Sequence, residues 1–139
     1  MYSSILLAID GSDNSLRATI EAAKLAACSD HAVITIIYVV DFAQSKKDVL
    51  HAQGKEDLEL NRRKKILSAE EYLQSQNIDY KVNILHGEPG PTIVNFANNH
   101  AFDLLIVGSR GLNSLQEMVL GSVSHKVVKR ATCPVLVVK

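Results

Sequence analysis

Ser4-Ile5-Leu6-Leu7-Ala8-Ile9, halted by Asp10-Gly11-Ser12, is the stretch on which the reading of this chain turns. The apolar run is nearly continuous, without the alternation of a strand that has one wet face, so it predicts a strand covered on both sides. Ser12 or Asp13 can cap a following helix, in which Leu16, Ile20, Ala23 and Ala27 recur at helical spacing as an apolar stripe toward the sheet. Val33 to Val40 is β-branched almost throughout and ends at Asp41-Phe42, which predicts a second buried strand.

The same alternation continues along the chain. The segment from about Ala43 to Lys55 is polar and without period, a connection. Glu56 to about Gln76 is highly charged, but Ile66, Ala69 and Leu73 form a stripe, predicting a surface helix with one buried face. Lys81 to Leu85 alternates as a strand near a sheet edge does. Gly87-Glu88-Pro89-Gly90-Pro91 then breaks the chain, and Pro91 suits the first turn of a helix through Ile93, Phe96 and Ala97. Asp103 to Val107 is the next buried strand, stopped by Gly108. A glycine-punctuated segment leads to a helix with Val123 and Val127 on one face, and Pro134 to Val138 is the last strand. The order predicts one α/β domain over residues 1–139, with a parallel sheet of about five strands.

Composition limits the possible functions. The chain has 139 residues, 47% hydrophobic and 22% charged, with fifteen basic side chains balanced by fifteen acidic ones. Such a balance creates no long-range field for nucleic acid or an anionic membrane. Apolar stretches such as Ile36 to Val40 are far shorter than the roughly 20 residues of a membrane span. Met1-Tyr2-Ser3-Ser4 has no basic region of the signal-peptide kind. Cys28 and Cys133 lie in apolar contexts without CxxC spacing and read as reduced, buried thiols. The expectation is a cytoplasmic protein.

In open α/β sheets ligands bind beyond the carboxyl ends of the strands, where the strand order reverses. If the first strand is central, the strands ending at Ile9 and Val107 flank that point, and Asp10 and Gly108 face one crevice. Gly108-Ser109-Arg110-Gly111 is followed, after nine residues, by Gly121-Ser122-Val123-Ser124. Glycines let backbone N–H groups approach a phosphate closely, and a helix beginning at Gly121-Ser122 offers free N–H groups and a favourable dipole. Ser122 and Ser124 add hydroxyl donors, and Val39 stands where it can contact a base. On the residues alone a plainer reading stays open, in which Gly108 merely ends a strand and Gly121 relieves a close helix–sheet contact.

The pattern Gly-x2-Gly-x9-Gly-Ser, together with Ala8-Ile9-Asp10-Gly11-Ser12, Tyr38-Val39-Val40-Asp41, the Gly87-x-Pro89 turn and Cys133-Pro134-Val135-Leu136-Val137-Val138, resembles the universal stress protein family over essentially the whole chain. The resemblance implies a Rossmann-like sheet of order 3-2-1-4-5 with helices on both faces, and the branch of the family that binds ATP. It also implies a role as a stress-response sensor or adaptor, and a homodimer paired through the last strand. By the same resemblance Asp10 matches an acidic residue near the ribose and phosphates, and Val39 matches the adenine contact. Gly108, Gly111, Gly121, Ser122 and Val123 match the phosphate loop, and Ser124 a position usually held by Ser or Thr. Ser109, Arg110 and Asn113 lie in the same loop, where the family varies. Mg²⁺ commonly accompanies nucleotide phosphates, and Asp10 offers it a hard oxygen.

Other chemistries fit less well. No Lys follows Gly121 as in GxxxxGK[ST], and no residue is clearly placed to orient an attacking water, although Asp10, His125 and Arg110 are candidates for slow hydrolysis. Asp103 begins its strand, where a receiver-type phosphoacceptor would end one. His31, His51, His86, His100 and His125 lack the spacing of a helical metal pair. The run Asn61-Arg62-Arg63-Lys64-Lys65 follows Glu56, Asp57 and Glu59 and reads as a solvated helix face rather than a nucleic-acid patch.

Overall fold

The computed structural model describes residues 1–41, 54–109 and 121–139. Five strands, β1 (Ser4–Ile9), β2 (Val33–Val40), β3 (Asp79–His86), β4 (Leu104–Gly108) and β5 (Val135–Val138), form one parallel sheet in the order β3-β2-β1-β4-β5. Four described helices connect them: α1 (Asp13–Ala26), α2 (Lys55–Ser75), α3 (Pro89–Asn99) and α4 (Ser122–Arg130).

Period-two geometry explains why β1 is apolar from Ile5 to Ile9. Ile5, Leu7 and Ile9 enter a core that also holds Ala18, Ala22, Ile66 and Leu73 from α1 and α2. Leu6 and Ala8 point to the other face, toward Ile93, Val94 and Ala97 of α3 and Val127 of α4. A strand between two helix layers has no wet side, so both residue parities are apolar. β3, at an edge, alternates between exposed and half-buried positions along most of its length, as Lys81 to Leu85 predicts, although it extends to Asp79 and His86 to match all eight residues of β2.

Two expectations are corrected. On α1 the buried residues are Asn14, Ser15, Ala18, Thr19, Ala22, Ala23 and Ala26: of the expected stripe Ala23 is buried and Ile20 half-buried, while Leu16 and Ala27 are exposed. Small side chains let α1 settle close on the strands, and close approach rather than side-chain size selects the inner face. Cys28 is exposed, with its thiol 3.4 Å from the Lys24 carbonyl; Cys133 is half-buried, and that burial pushes its thiol pKa up. Both are free thiols. The connection read from Ala43 falls largely outside the described residues.

Asp103 joins the amino ends of β1 and β4. Its Oδ2 accepts hydrogen bonds from the Ser3 and Ser4 N–H groups, each at 3.0 Å, and from the Ser3 hydroxyl at 3.1 Å. The Ser4 N–H, then the Ser3 N–H and hydroxyl, hold this carboxyl below the usual carboxylate range. It therefore works as an anionic clip at the end of the sheet away from the strands' carboxyl termini.

Candidate functional site

Because β1 lies between β2 and β4, the chain reverses direction across the sheet beside β1, and the connections leaving β1 and β4 diverge to opposite faces. A cleft of about 490 Å³ opens there, lined by the carboxyl ends of β1, β2 and β4 and by the start of α3 and α4. Its size suits a small organic ligand.

The local chain geometry at the β1 end follows from short-range hydrogen bonding. Asp10 Oδ1 accepts the Ser12 N–H at 2.9 Å, Gly11 takes a left-handed φ of 83°, and the Ser12 hydroxyl oxygen accepts the Ser15 N–H at 3.2 Å as the N-cap of α1. The tight turn keeps the Asp10 carboxylate at the cleft rather than in the helix. The β4 end is tied differently. The Ser109 N–H donates to Val138 O at 2.7 Å, and Ser109 O accepts from the Gly121 N–H at 2.8 Å and the Ser124 hydroxyl at 2.9 Å. These bonds fix where α4 begins relative to the sheet.

Of the residues singled out in the sequence, Asp10, Val39, Gly108, Gly121, Ser122, Val123 and Ser124 all line this one cleft. Ser109 is buried and acts through its backbone, outside the lining. Ser124, expected as a donor to a ligand, is also buried, and its hydroxyl is directed to the carbonyls of Ser109 and Gly121 (3.0 Å). It positions the helix start. Arg110, Gly111 and Asn113 lie outside the described residues. His125 is exposed and does not line the cleft.

Several lining residues had no ligand role in the sequence reading, and one reading is corrected: Lys65, taken with Asn61 to Lys64 as a solvated helix face, is half-buried and lines the cleft. Lys65 arrives from α2, with its ammonium 5.9 Å from the centroid of the Tyr38 ring. Asp41 follows β2. Glu88 and Lys126 approach from α3 and α4 and pair at 3.2 Å. A signal existed for Glu88, since Gly87-Glu88-Pro89 follows a strand's carboxyl end and the switch-point rule applies there too. None existed for Lys65, which looks like any polar position of an amphipathic helix. The described lining thus carries three carboxylates, Asp10, Asp41 and Glu88, and two ammonium groups, Lys65 and Lys126.

The N-termini of α3 and α4 both meet the cleft, and neither has a side-chain cap: Glu88 makes no capping hydrogen bond and Gly121 has no side chain to make one. α4 brings the uncapped N–H groups of its first turn, whereas Pro89 and Pro91 leave the first turn of α3 only the Gly90 N–H; these groups and the helix dipoles favour an anion at this place.

The model of the universal stress protein family matches residues 1–139. The universal stress protein YxiE of Bacillus subtilis (strain 168) is 36% identical over 156 aligned positions, covering 100% of each chain. Among solved structures, the hypothetical protein MJ0577, from Methanocaldococcus jannaschii, superposes with a TM-score of 0.85 at 29% identity, over 100% of this chain and 96% of that one. A universal stress protein in complex with cAMP superposes with a TM-score of 0.72 at 27% identity, over 99% and 96%.

Proposed function

The chain belongs to the universal stress protein family, and on that premise we propose that its cleft binds an adenine nucleotide, ATP with Mg²⁺, and that the protein serves a stress response as a sensor or adaptor through the occupancy of that cleft. The observation that carries this reading is the uncapped start of α4 at Gly121-Ser122, opening into the same cleft as Asp10 and Val39. Phosphates suit the helix N–H groups, and an apolar strand end at Val39 suits a base. The related structure that holds cAMP supports an adenine nucleotide as the ligand class.

The described residues fit a metal that arrives with phosphates rather than one held by the protein alone. No group of three His, Cys, Asp or Glu among them is set to hold an ion. Asp10 supplies one hard oxygen, and Mg²⁺ normally completes its shell with phosphate and water oxygens. The carboxylate excess in the described lining also favours a nucleotide that brings a cation. At most slow hydrolysis belongs to this reading: of the candidates for it, His125 is outside the cleft lining, Arg110 is outside the described residues, and Asp10, which lines the cleft, accepts the Ser12 N–H. A single domain over residues 1–139 in the cytoplasm is the proposed setting; two free thiols fit a reducing compartment, and no helix of the described residues is long and apolar enough to cross a membrane.

A thermal-unfolding titration tests the ligand. Mg-ATP at about 100 times its dissociation constant adds about 2.7 kcal/mol, a rise of several degrees in the midpoint, with GTP giving less and AMP as a second control. Ser122→Asp removes the rise while leaving the unliganded midpoint unchanged or higher, because an acid near a helix N-terminus favours the helix but repels phosphate. No shift with any adenine nucleotide at millimolar concentration defeats the reading and leaves Gly108 and Gly121 as structural turns.

The homodimer is proposed through β5, which among the described residues pairs with β4 alone, stands at the sheet edge and keeps all four residues half-buried. An edge of Val-Leu-Val-Val needs a cover. Sedimentation should show a dimer that Val137→Lys dissociates; a monomer at all concentrations overturns it.

A further inference from the structure

We infer that Lys126 and Glu88 form an exchangeable ion pair at the cleft, in which the phosphates of a nucleotide take the Lys126 ammonium from Glu88 and so favour phosphorylated over unphosphorylated ligands. The inference rests on the nucleotide reading above and names the residue that senses ligand charge.

The pair is assembled by tertiary structure. Lys126 Nζ lies 3.2 Å from Glu88 Oε1 across 38 positions of sequence, with Glu88 at the N-cap of α3 and Lys126 in the second turn of α4. Both side chains line the cleft. The lysine stem lies in a trough left by Gly90: a Cβ there would come within 2.9 Å of Lys126 Cδ and 3.4 Å of its Cβ. The stem is thereby laid across the first turn of α3, and the ammonium is held where the two uncapped helix starts meet the cleft.

Relative strengths favour exchange. The Lys126 and Glu88 side chains are 38% and 68% exposed, and pairs so open to water are weak. A polyphosphate carries more charge than one carboxylate and gains the helix N–H groups as well, so it competes well for the ammonium. Lys65, the other described cation of the lining, comes from the helix layer on the opposite sheet face and stands by the Tyr38 ring. Lys126 is the one already held beside the helix starts by a partner that can be exchanged. A phosphate-loop lysine is absent from the sequence after Gly121, and the fold supplies a cation from one turn further along α4.

Calorimetric titration of the full chain with Mg-ATP and with adenosine tests the exchange. Lys126→Gln should weaken Mg-ATP binding about tenfold, and Glu88→Gln, by removing the competitor, should strengthen it about threefold. Both should leave adenosine affinity within about twofold. Both residues are partly or well exposed, so the variants keep the fold, which their unliganded unfolding midpoints will verify. Equal losses for Mg-ATP and adenosine, weakening by both variants, or unaltered Mg-ATP affinity in both would overturn the exchange while leaving nucleotide binding intact. A wild-type protein that binds neither ligand overturns the nucleotide reading and this inference with it.

Discussion

Ile106→Ala should lower the unfolding free energy by about 2–5 kcal/mol, the cost of deleting a fully enclosed branched side chain and leaving a cavity. Ile106 has no exposed surface, pairs with Leu7 on one side and Leu136 on the other, and belongs to the core shared with α1 and α2. Its neighbours are strand residues locked in a ladder, so the site collapses poorly on the missing atoms. In calorimetry the midpoint should fall by roughly 10 °C, whereas Leu67→Ala on the exposed face of α2 should stay within about 0.5 kcal/mol of wild type. A loss below about 1 kcal/mol at Ile106 would mean that the β1–β4 junction is not packed as described.

Gly108→Val should destabilise the unliganded protein by about 1–3 kcal/mol, as overpacking does where the neighbours are rigid. A Cβ at Gly108 would stand 3.0 Å from Asn14 Cβ, 3.1 Å from Asn14 C and 3.2 Å from Asn14 O. Two of those atoms are backbone in the first turn of α1, which is held by the Ser12 cap and by Arg17, whose Nε donates to Lys139 O at 2.8 Å. The helix start must therefore shift, and with it the wall that carries Asp10 and Ser12. Chemical denaturation without ligand measures this; a variant of wild-type stability that has merely lost nucleotide affinity would return Gly108 to a ligand-only role.

That second result bears on the two readings of the glycine pattern, which composition and spacing leave open. Gly108 is required by α1 before any ligand enters, so close helix–strand approach is part of its role whatever the cleft binds. Ser124 teaches the same lesson: a hydroxyl that looks like a phosphate donor in sequence is spent on Ser109 and Gly121. Residues of a loop can build the site without touching what it holds.

The strands and helices were legible because their signal is local. β1 is apolar from Ile5 to Ile9, β3 alternates, and Pro89-Gly90-Pro91 and Gly121-Ser122 mark helix starts, each within a few residues. The inner face of α1 was legible only in part, at Ala23 and Ile20 but not at Leu16 or Ala27, because hydrophobic size is local, whereas the closeness of the helix to the sheet is set by the packed strands beneath it. The apolar runs, the turn at Asp10-Gly11 and the spacing of Gly108 and Gly121 thus follow from sequence alone, since backbone preference and hydrophobic period need no knowledge of distant residues. Only the tertiary structure decided that Lys65 from α2, and Glu88 and Lys126 from α3 and α4, join Asp10 in one cleft. Which charges meet depends on strand order and helix crossing, and those are settled by burial of the whole core rather than by any short segment.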